Sequence, residues 1–351
     1  MYQTMKRLFL IAAMCVAAAC NQSANADYPE WRWSDKETPA DEFVEPNPDI
    51  AGKGWTNITA DYAAMPDGLS IYRSPEQLQG VNAIAYIAVA DLSRVTWDVR
   101  SIDDPNLQGT KDELRTPSQF YAESPAPVMV NGGFFYTDGG KRYNASVAVS
   151  GGRTYGVNIN YASQDWVTIY YPTRGVFYQA DGSLATGWTY YVNESAHYLY
   201  DTPAANSWDA DPLPVPGATF PSEAAAFVAE TAIGGGPVLL KGGEIYNTYP
   251  EELFDGPNGI LCDSRHPRTA IAATDDGRLV LFVCEGRNMT EGVPGFTSAE
   301  EAAILKDLGC TEALNLDGGG SSCMIINNRE TIKPSDGSQR SVASVVLLKS
   351  R

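Results

Sequence analysis

Continuous apolar runs of strand length, bounded by turn residues, restrict the fold of this chain more than any other feature. Ala83 to Ala90 is one such run, the pattern of a strand buried on both faces. Arg278-Leu279-Val280-Leu281-Phe282-Val283 is another, and the hairpin turn Asp275-Asp276-Gly277 leads into it. Val95-Thr96-Trp97-Asp98-Val99 and Thr168-Ile169-Tyr170-Tyr171 alternate, as half-buried strands do. Val128-Met129-Val130 runs into Asn131-Gly132-Gly133, a strand precedes each of Glu285 and Asp317, and Ser341 to Lys349 closes the chain as a strand. Helix signals are few. Thr116-Pro117 opens a short helix with proline at its first position. Pro221 to Glu230 is alanine-rich and reads as a second. Thr297-Ser298-Ala299-Glu300 is a capping box ahead of Ala302, Ala303, Ile304, Leu305 and Leu308, and Gly309 ends that helix. The expectation is an α+β fold: a mixed, strand-rich sheet core with a few helices, in a single domain.

The front of the chain sets a compartment. Lys6-Arg7 precedes the apolar run Leu8 to Ala18, which is too short to span a bilayer and is followed by Ala19-Cys20. That is the form of a signal peptide over residues 1–19. Ala17-Ala18-Ala19-Cys20 resembles a bacterial lipobox, which makes Cys20 the lipidated first residue. An ordinary secretory signal with an incidental cysteine is the alternative. Residues 20–52 read as a tether, because Pro, Asp and Glu without periodicity cannot bury enough apolar surface to order themselves. The folded domain is expected over 53–351, with 181–217, rich in Tyr, Trp, Asn and Pro, as an insertion or rim loop. The expected location is the bacterial cell envelope, with the membrane as a partner through the lipid.

Charge and cysteine content narrow the partners. Without Lys6 and Arg7, 23 basic side chains face 43 acidic ones, a net charge of −20. Such a surface repels nucleic acid, so none is expected as a partner, and an anionic substrate needs a local basic cluster. Cys262, Cys284, Cys310 and Cys323 remain in the mature chain, and in an oxidising compartment at least one disulfide is expected. Their spacing matches no zinc pattern, and no metal or other cofactor is expected.

The chemistry concentrates in a few segments. In Asn315-Leu316-Asp317-Gly318-Gly319-Gly320-Ser321 a strand ends in a carboxylate, and three glycines open the main chain to a ligand. A glycine-rich strand-to-strand turn is the alternative reading of that run. Asn131-Gly132-Gly133 sets an amide beside two glycines, or is a tight turn over an aromatic core. Arg268-Thr269 opens a strand, and arginine forks recognise phosphate or carboxylate. Glu285-Gly286-Arg287 ends one, and Arg340 precedes the last. His197 and His266 are the chain's two histidines, and neither sits in an elbow motif of a Ser-His-Asp hydrolase.

In order, these segments resemble the phosphodiester glycosidase domain family. The match runs through Asn131-Gly132-Gly133-Phe134-Phe135, Pro267-Arg268-Thr269-Ala270, the strand into Glu285-Gly286-Arg287, Gly295-Phe296-Thr297 and its helix, the Asn315-to-Ser321 block and Arg340-Ser341-Val342-Ala343. Glu285 stands where most relatives carry Asp, and 181–217 has no clear counterpart. The resemblance implies a hydrolase of carbohydrate or glycosyl-phosphodiester substrates that cleaves a sugar's anomeric bond to phosphate. A phosphate ester leaves as a stable anion, so arginines can replace the carboxylic acid that an ordinary glycosidase needs. It implies Asp317, Glu285, Arg268 and Asn131 as catalytic residues. It implies Gly132, Gly133, Thr269, Arg287, Asn315, Gly318, Gly319, Gly320, Ser321 and Arg340 as substrate-binding ones. A non-catalytic glycan-binding lipoprotein is one alternative. A metal-dependent phosphodiesterase using Asp317, Glu285 and Asp263 is the other.

The lipobox reading has a direct test. Cys20→Ala is expected to release the protein in soluble form or to leave its signal uncleaved, measured by detergent partitioning and by the mass of the mature chain. Equal partitioning of variant and parent rejects it.

Overall fold

The structure, a computed structural model, describes residues 44–107, 113–255 and 259–351. The signal, the lipidation site at Cys20 and most of the tether lie outside the described residues. From Glu45 onward the chain forms one compact unit. It is strand-rich, and its helices among the described residues are Pro48–Ala51, Pro117–Glu123 and Ser298–Asp307, with short 3-10 turns besides.

Three sheets enclose the main core. An eight-stranded antiparallel sheet carries the strands Leu69–Arg73, Ala85–Asp91, Arg278–Cys284, Arg268–Thr274, Cys310–Asn315 and Val238–Lys241 as adjacent neighbours. Its pleat sorts side chains strictly. Ile71, Ala88, Ile271, Leu281, Val283 and Leu314 face the core shared with the other sheets. Tyr72, Ile87, Ala270, Val280, Phe282 and Ala313 face the opposite way, onto Ala302, Ile304, Leu305 and Leu308 of the helix Ser298–Asp307. This is why the runs Ala83 to Ala90 and Leu279 to Val283 are apolar throughout: both faces are buried. A five-stranded sheet contributes Val128–Asn131, Met324–Ile326, Ser344–Ser350 and Val95–Ser101, and a seven-stranded sheet closes the third side. The five-stranded sheet sends Val128, Val130, Val346 and Leu348 into the shared core. Its outer residues Met129, Val345 and Leu347 meet Phe120 of the helix Pro117–Glu123.

Both capped helices form as their sequences require. Thr116 and Thr297 each accept from the backbone N–H three residues on, and Gln119 and Glu300 reach back to the cap backbone. Other expectations fail for identifiable reasons. Pro221 to Glu230 is not helical. Ala225–Ala226 instead pairs as an edge strand with Tyr198 and Leu199, because alanine propensity without an apolar stripe is weak against sheet pairing. Thr168 to Tyr171 makes only an isolated bridge between Tyr170 and Ala162. The segment 181–217 is not a plain insertion loop. Ser183–Asn193 and Ala196–Tyr200 are strands of the seven-stranded sheet, with Trp188, Tyr190 and Tyr200 buried. All four described cysteines are free and buried, so the expected disulfide is absent among them. The Cys284 sulfur instead accepts the Arg268 backbone N–H at 3.2 Å.

The folded body also begins before residue 53. Ile50 is 0 % exposed and packs with Trp55 and Tyr72. Asp49 forms a bidentate pair with Arg278. Composition alone hid this, because one apolar residue among Pro, Asn and Asp gives no period. Ile50→Ala is therefore expected to destabilise the domain by about 2–5 kcal/mol, read as a lowered denaturant midpoint. A midpoint equal to the parent's returns residues 45–52 to the tether.

Candidate active site

The site lies where strands from two sheets end together. Asn131 ends its strand in register with Val345. Asn315 ends another opposite Ala270, and Arg268 begins its strand opposite Cys284. Asn131 is fully buried and ties these ends to one another. Its Nδ2 donates to the Asp317 carbonyl at 2.6 Å. Its Oδ1 accepts from the Thr269 hydroxyl at 2.9 Å and from the Cys323 N–H at 3.0 Å. Asp317 N–H donates to the Gly132 carbonyl at 3.1 Å, and Leu316 N–H to the Thr269 carbonyl at 2.8 Å. Asn131 and Thr269 therefore hold the turn through their own hydrogen bonds.

Gly132 and Gly133 have the same structural role. A Cβ on Gly132 would sit 2.3 Å from the Ser344 hydroxyl, and one on Gly133 2.2 Å from the Gly234 carbonyl. Neither residue lines the cavity.

The cavity itself measures 160 Å3 and is lined by Asp317, Gly318, Gly319, Asn315, Arg268, Arg287, His266 and residues 259–261. Asp317 supplies its one lining carboxylate among the described residues. Burial raises the Asp317 carboxyl to about 6, against the Ser321 hydroxyl, the Arg340 charge and the Gly318 N–H, which favour the anion. Arg268 is 2 % exposed. Its Nε donates to the Phe296 carbonyl, and one amino group to the Leu261 and Ser264 carbonyls, all at 2.9 Å. Its other amino nitrogen lies 3.9 Å from where a Gly318 Cβ would be. Arg287 is more open. It packs over Gly319, where an added Cβ would meet its guanidinium at 2.8 Å and the φ of +60° disfavours any other residue.

His266 joins this site, carried in on the segment that leads to Arg268, although the chain's two histidines lack the motif of a histidine-dependent hydrolase. Nδ1 accepts from Arg287 Nε at 3.2 Å, which assigns the proton to Nε2. Nε2 is buried and has no partner in the protein. Burial, with the charges of Arg268 and Arg287, lowers the imidazole's affinity for a second proton. A neutral N–H donor is thus left buried and unpaired on a residue that lines the cavity. Asn315 likewise keeps a buried Oδ1 without a partner while its Nδ2 binds the Gly236 and Leu316 carbonyls.

Other expected residues lie outside the cavity lining. Glu285 is 2 % exposed and its carboxylate accepts from the Thr290 hydroxyl at 2.9 Å. The glycine run does not present a row of free N–H groups. Gly319, Ser321 and Ser322 donate theirs to the Pro267, Gly318 and Gly319 carbonyls. Gly320 is packed against Asp336 and Arg340. Arg340 pairs with Asp336 at 2.6 Å and reaches Ser321 at 3.4 Å, so it acts on Asp317 from behind. Asp336 also faces Arg287 at 3.6 Å, linking the two arginines over the turn. The three carboxylates of the metal-dependent alternative are dispersed. Asp263 is bound by the Tyr249 hydroxyl at 2.8 Å and Glu285 by Thr290, and no group of three His, Cys, Asp or Glu is arranged to hold an ion among the described residues.

The segments that supply this carboxylate, its two arginines and the glycine turn all fall within a match to the phosphodiester glycosidase family. The chain belongs to that family: its model, described as phosphodiester glycosidase, matches residues 124–349. Among solved structures, a hypothetical protein from Synechocystis superposes with a TM-score of 0.53 at 16 % identity, over 82 % of this chain and 64 % of that one. The zebrafish N-acetylglucosamine-1-phosphodiester alpha-N-acetylglucosaminidase catalytic domain, auto-inhibited by its pro-peptide, superposes with 0.53 at 21 % identity, over 81 % and 83 %. These similarities show the fold. A SPbeta prophage-derived uncharacterized protein, YomE, of Bacillus subtilis strain 168 is 33 % identical over 84 residues, 24 % of this chain and 13 % of that protein. The chain thus spans less than two thirds of YomE and of the Synechocystis protein.

The raised Asp317 carboxyl carries a stability prediction. Its folded value of about 6 exceeds the ordinary 3.8, so the folded state binds the extra proton between those values. Stability from this group is present below pH 3.8 and is lost as pH rises through 6. Asp317→Asn is expected to unfold at a higher temperature than the parent at pH 8, with the gap closing toward pH 4, measured by calorimetry. A variant less stable at pH 8 than at pH 4, relative to the parent, contradicts the burial argument.

Proposed function

We propose that the chain is a hydrolase cleaving the bond between a sugar's anomeric carbon and a phosphate, acting as an envelope lipoprotein. One observation carries the reading: among the described residues the cavity lining holds one carboxylate, Asp317, beside Arg268, Arg287 and His266. An ordinary glycosidase requires a second carboxyl group to protonate its leaving alkoxide. A phosphate monoester leaves without that proton, and cations suffice to hold its charge.

In this mechanism the sugar sits against the Asp317 carboxylate and the phosphate lies toward Arg268, Arg287 and the His266 N–H. The anomeric C–O bond breaks with its electron pair passing to the phosphate oxygen. The ionised Asp317 stabilises the positive charge that grows at the anomeric carbon. Water supplies the new C–O bond, and the proton it gives up ends on the departing phosphate monoester. Arg340 and Ser321 keep Asp317 oriented and bias it toward the anion. The reaction needs Asp317 ionised, so kcat/KM should rise with pH along an acid limb centred near 6.

The test is sugar release from a panel of sugar-1-phosphodiesters and envelope polymers. Asp317→Asn is expected to lose at least about a hundredfold in turnover while staying folded. Arg287→Gln should weaken phosphodiester substrates more than aryl glycosides, because only the former carry the anion it would hold. Near-normal release by folded Asp317→Asn would overturn this mechanism and favour the glycan-binding alternative.

A further inference from the structure

A larger cavity of 590 Å3 adjoins the Asp317 cavity, and Gly259 and Ile260 line both. Gly235, on the larger cavity's wall, would place a Cβ 2.3 Å from the carbonyl of Asn315, which lines the smaller one, so the two linings are in direct contact. Its walls are aromatic: Phe134, Tyr136, Tyr161, Trp166, Trp208 and Phe254. Trp166 is 79 % exposed and Tyr161 42 %. A tryptophan normally finds cover, so one held in the open at a cavity mouth marks a contact surface. The backbone around it is fixed. The Ser163 hydroxyl accepts from Trp166 N–H, and Asp165 accepts from the N–H groups of Val167 and Thr168, at 2.8, 2.8 and 2.7 Å.

Two charged groups interrupt the apolar walls. Arg174 lies 4.2 Å over the Phe254 ring with one amino group donating to the Glu252 carbonyl. Asp255 contributes a buried Oδ1 that has no partner within the protein. An acyl chain would cover the rings but leave that carboxylate oxygen unpaired, which is costly. A pyranose satisfies both features at once. Its C–H face covers an aromatic ring, and its hydroxyl edge donates to a carboxylate and accepts from a guanidinium.

We propose that this cavity is a second sugar subsite, occupied by the ring next to the one that reacts at Asp317. Resting on the glycosidase reading above, it makes the substrate class an oligosaccharide or polymeric glycan rather than a monosaccharide ester. Trp166 is the stacking platform at the entrance, and Asp255 and Arg174 orient the ring by its hydroxyls.

Binding tests this without turnover. Calorimetry and tryptophan fluorescence are measured on the full domain and on Asp317→Asn with cello-, malto- and chito-oligosaccharides of one to four units. Affinity should rise about tenfold from one unit to two in at least one series, the worth of one good aromatic contact. Trp166→Ala, an exposed position whose loss leaves the melting temperature near the parent's, should abolish that step. Asp255→Asn should reduce it as well. No length dependence in any series, or an unchanged step in Trp166→Ala, overturns the subsite. A persistent step with no sugar release from any phosphodiester overturns the catalytic reading alone. Release from monosaccharide and longer substrates at equal kcat/KM overturns the subsite alone.

Discussion

The site depends on one buried amide. Asn131 spends all its hydrogen-bonding capacity on the protein: the Asp317 and Gly132 carbonyls take its N–H groups, and Thr269 and Cys323 donate to its oxygen. Those partners come from separate strands and from the glycine turn. Removing the amide would leave several buried backbone and hydroxyl groups unpaired, each at a cost of about 1–3 kcal/mol. The position of the Asp317 carboxylate is therefore set by a buried residue whose own hydrogen bonds all go to the protein.

Electrostatics divides into two layers around that carboxylate. Arg268 and Arg287 face the cavity, while Arg340 and Asp336 lie behind the turn. Arg268 is held by three backbone carbonyls, so its charge is fixed in place before any ligand arrives. That arrangement costs little reorganisation during reaction, which is the condition under which fixed charges are most effective. With a net charge of −18 on the whole chain, such local cations are needed to admit an anionic group.

Much of the frame was legible in the chain itself. The apolar runs at Ala83 and Arg278 announced a sheet buried on both faces, and two capping boxes announced their helices. Misreadings arose where local signals were weak or contradicted by pairing. Within alanine-rich 221–230 only Ala225–Ala226 joined a sheet edge, against Tyr198 and Leu199, and the Tyr-rich 183–200 stretch became interior strands through hairpins with the strands on either side of it. Glu285 illustrates the limit for sites. It follows a buried strand as Asp317 does, yet it meets Thr290 rather than the cavity. A strand turns successive side chains to opposite faces, so nearness to a strand end cannot say which way a carboxylate points.

By itself the sequence determined the strand-rich class, the family, and the presence of a carboxylate and arginines at strand ends. These follow from periodicity and from contiguous motifs, which are properties of neighbouring residues. Only the tertiary structure decided which of those groups share a cavity. It assigned Asn131, Thr269, Gly132 and Gly133 to holding the turn, and it brought in His266, Asp336 and the aromatic chamber around Arg174. Those partners are separated by tens to hundreds of positions along the chain. Their meeting depends on the register of the sheets and on packing, neither of which any short segment encodes.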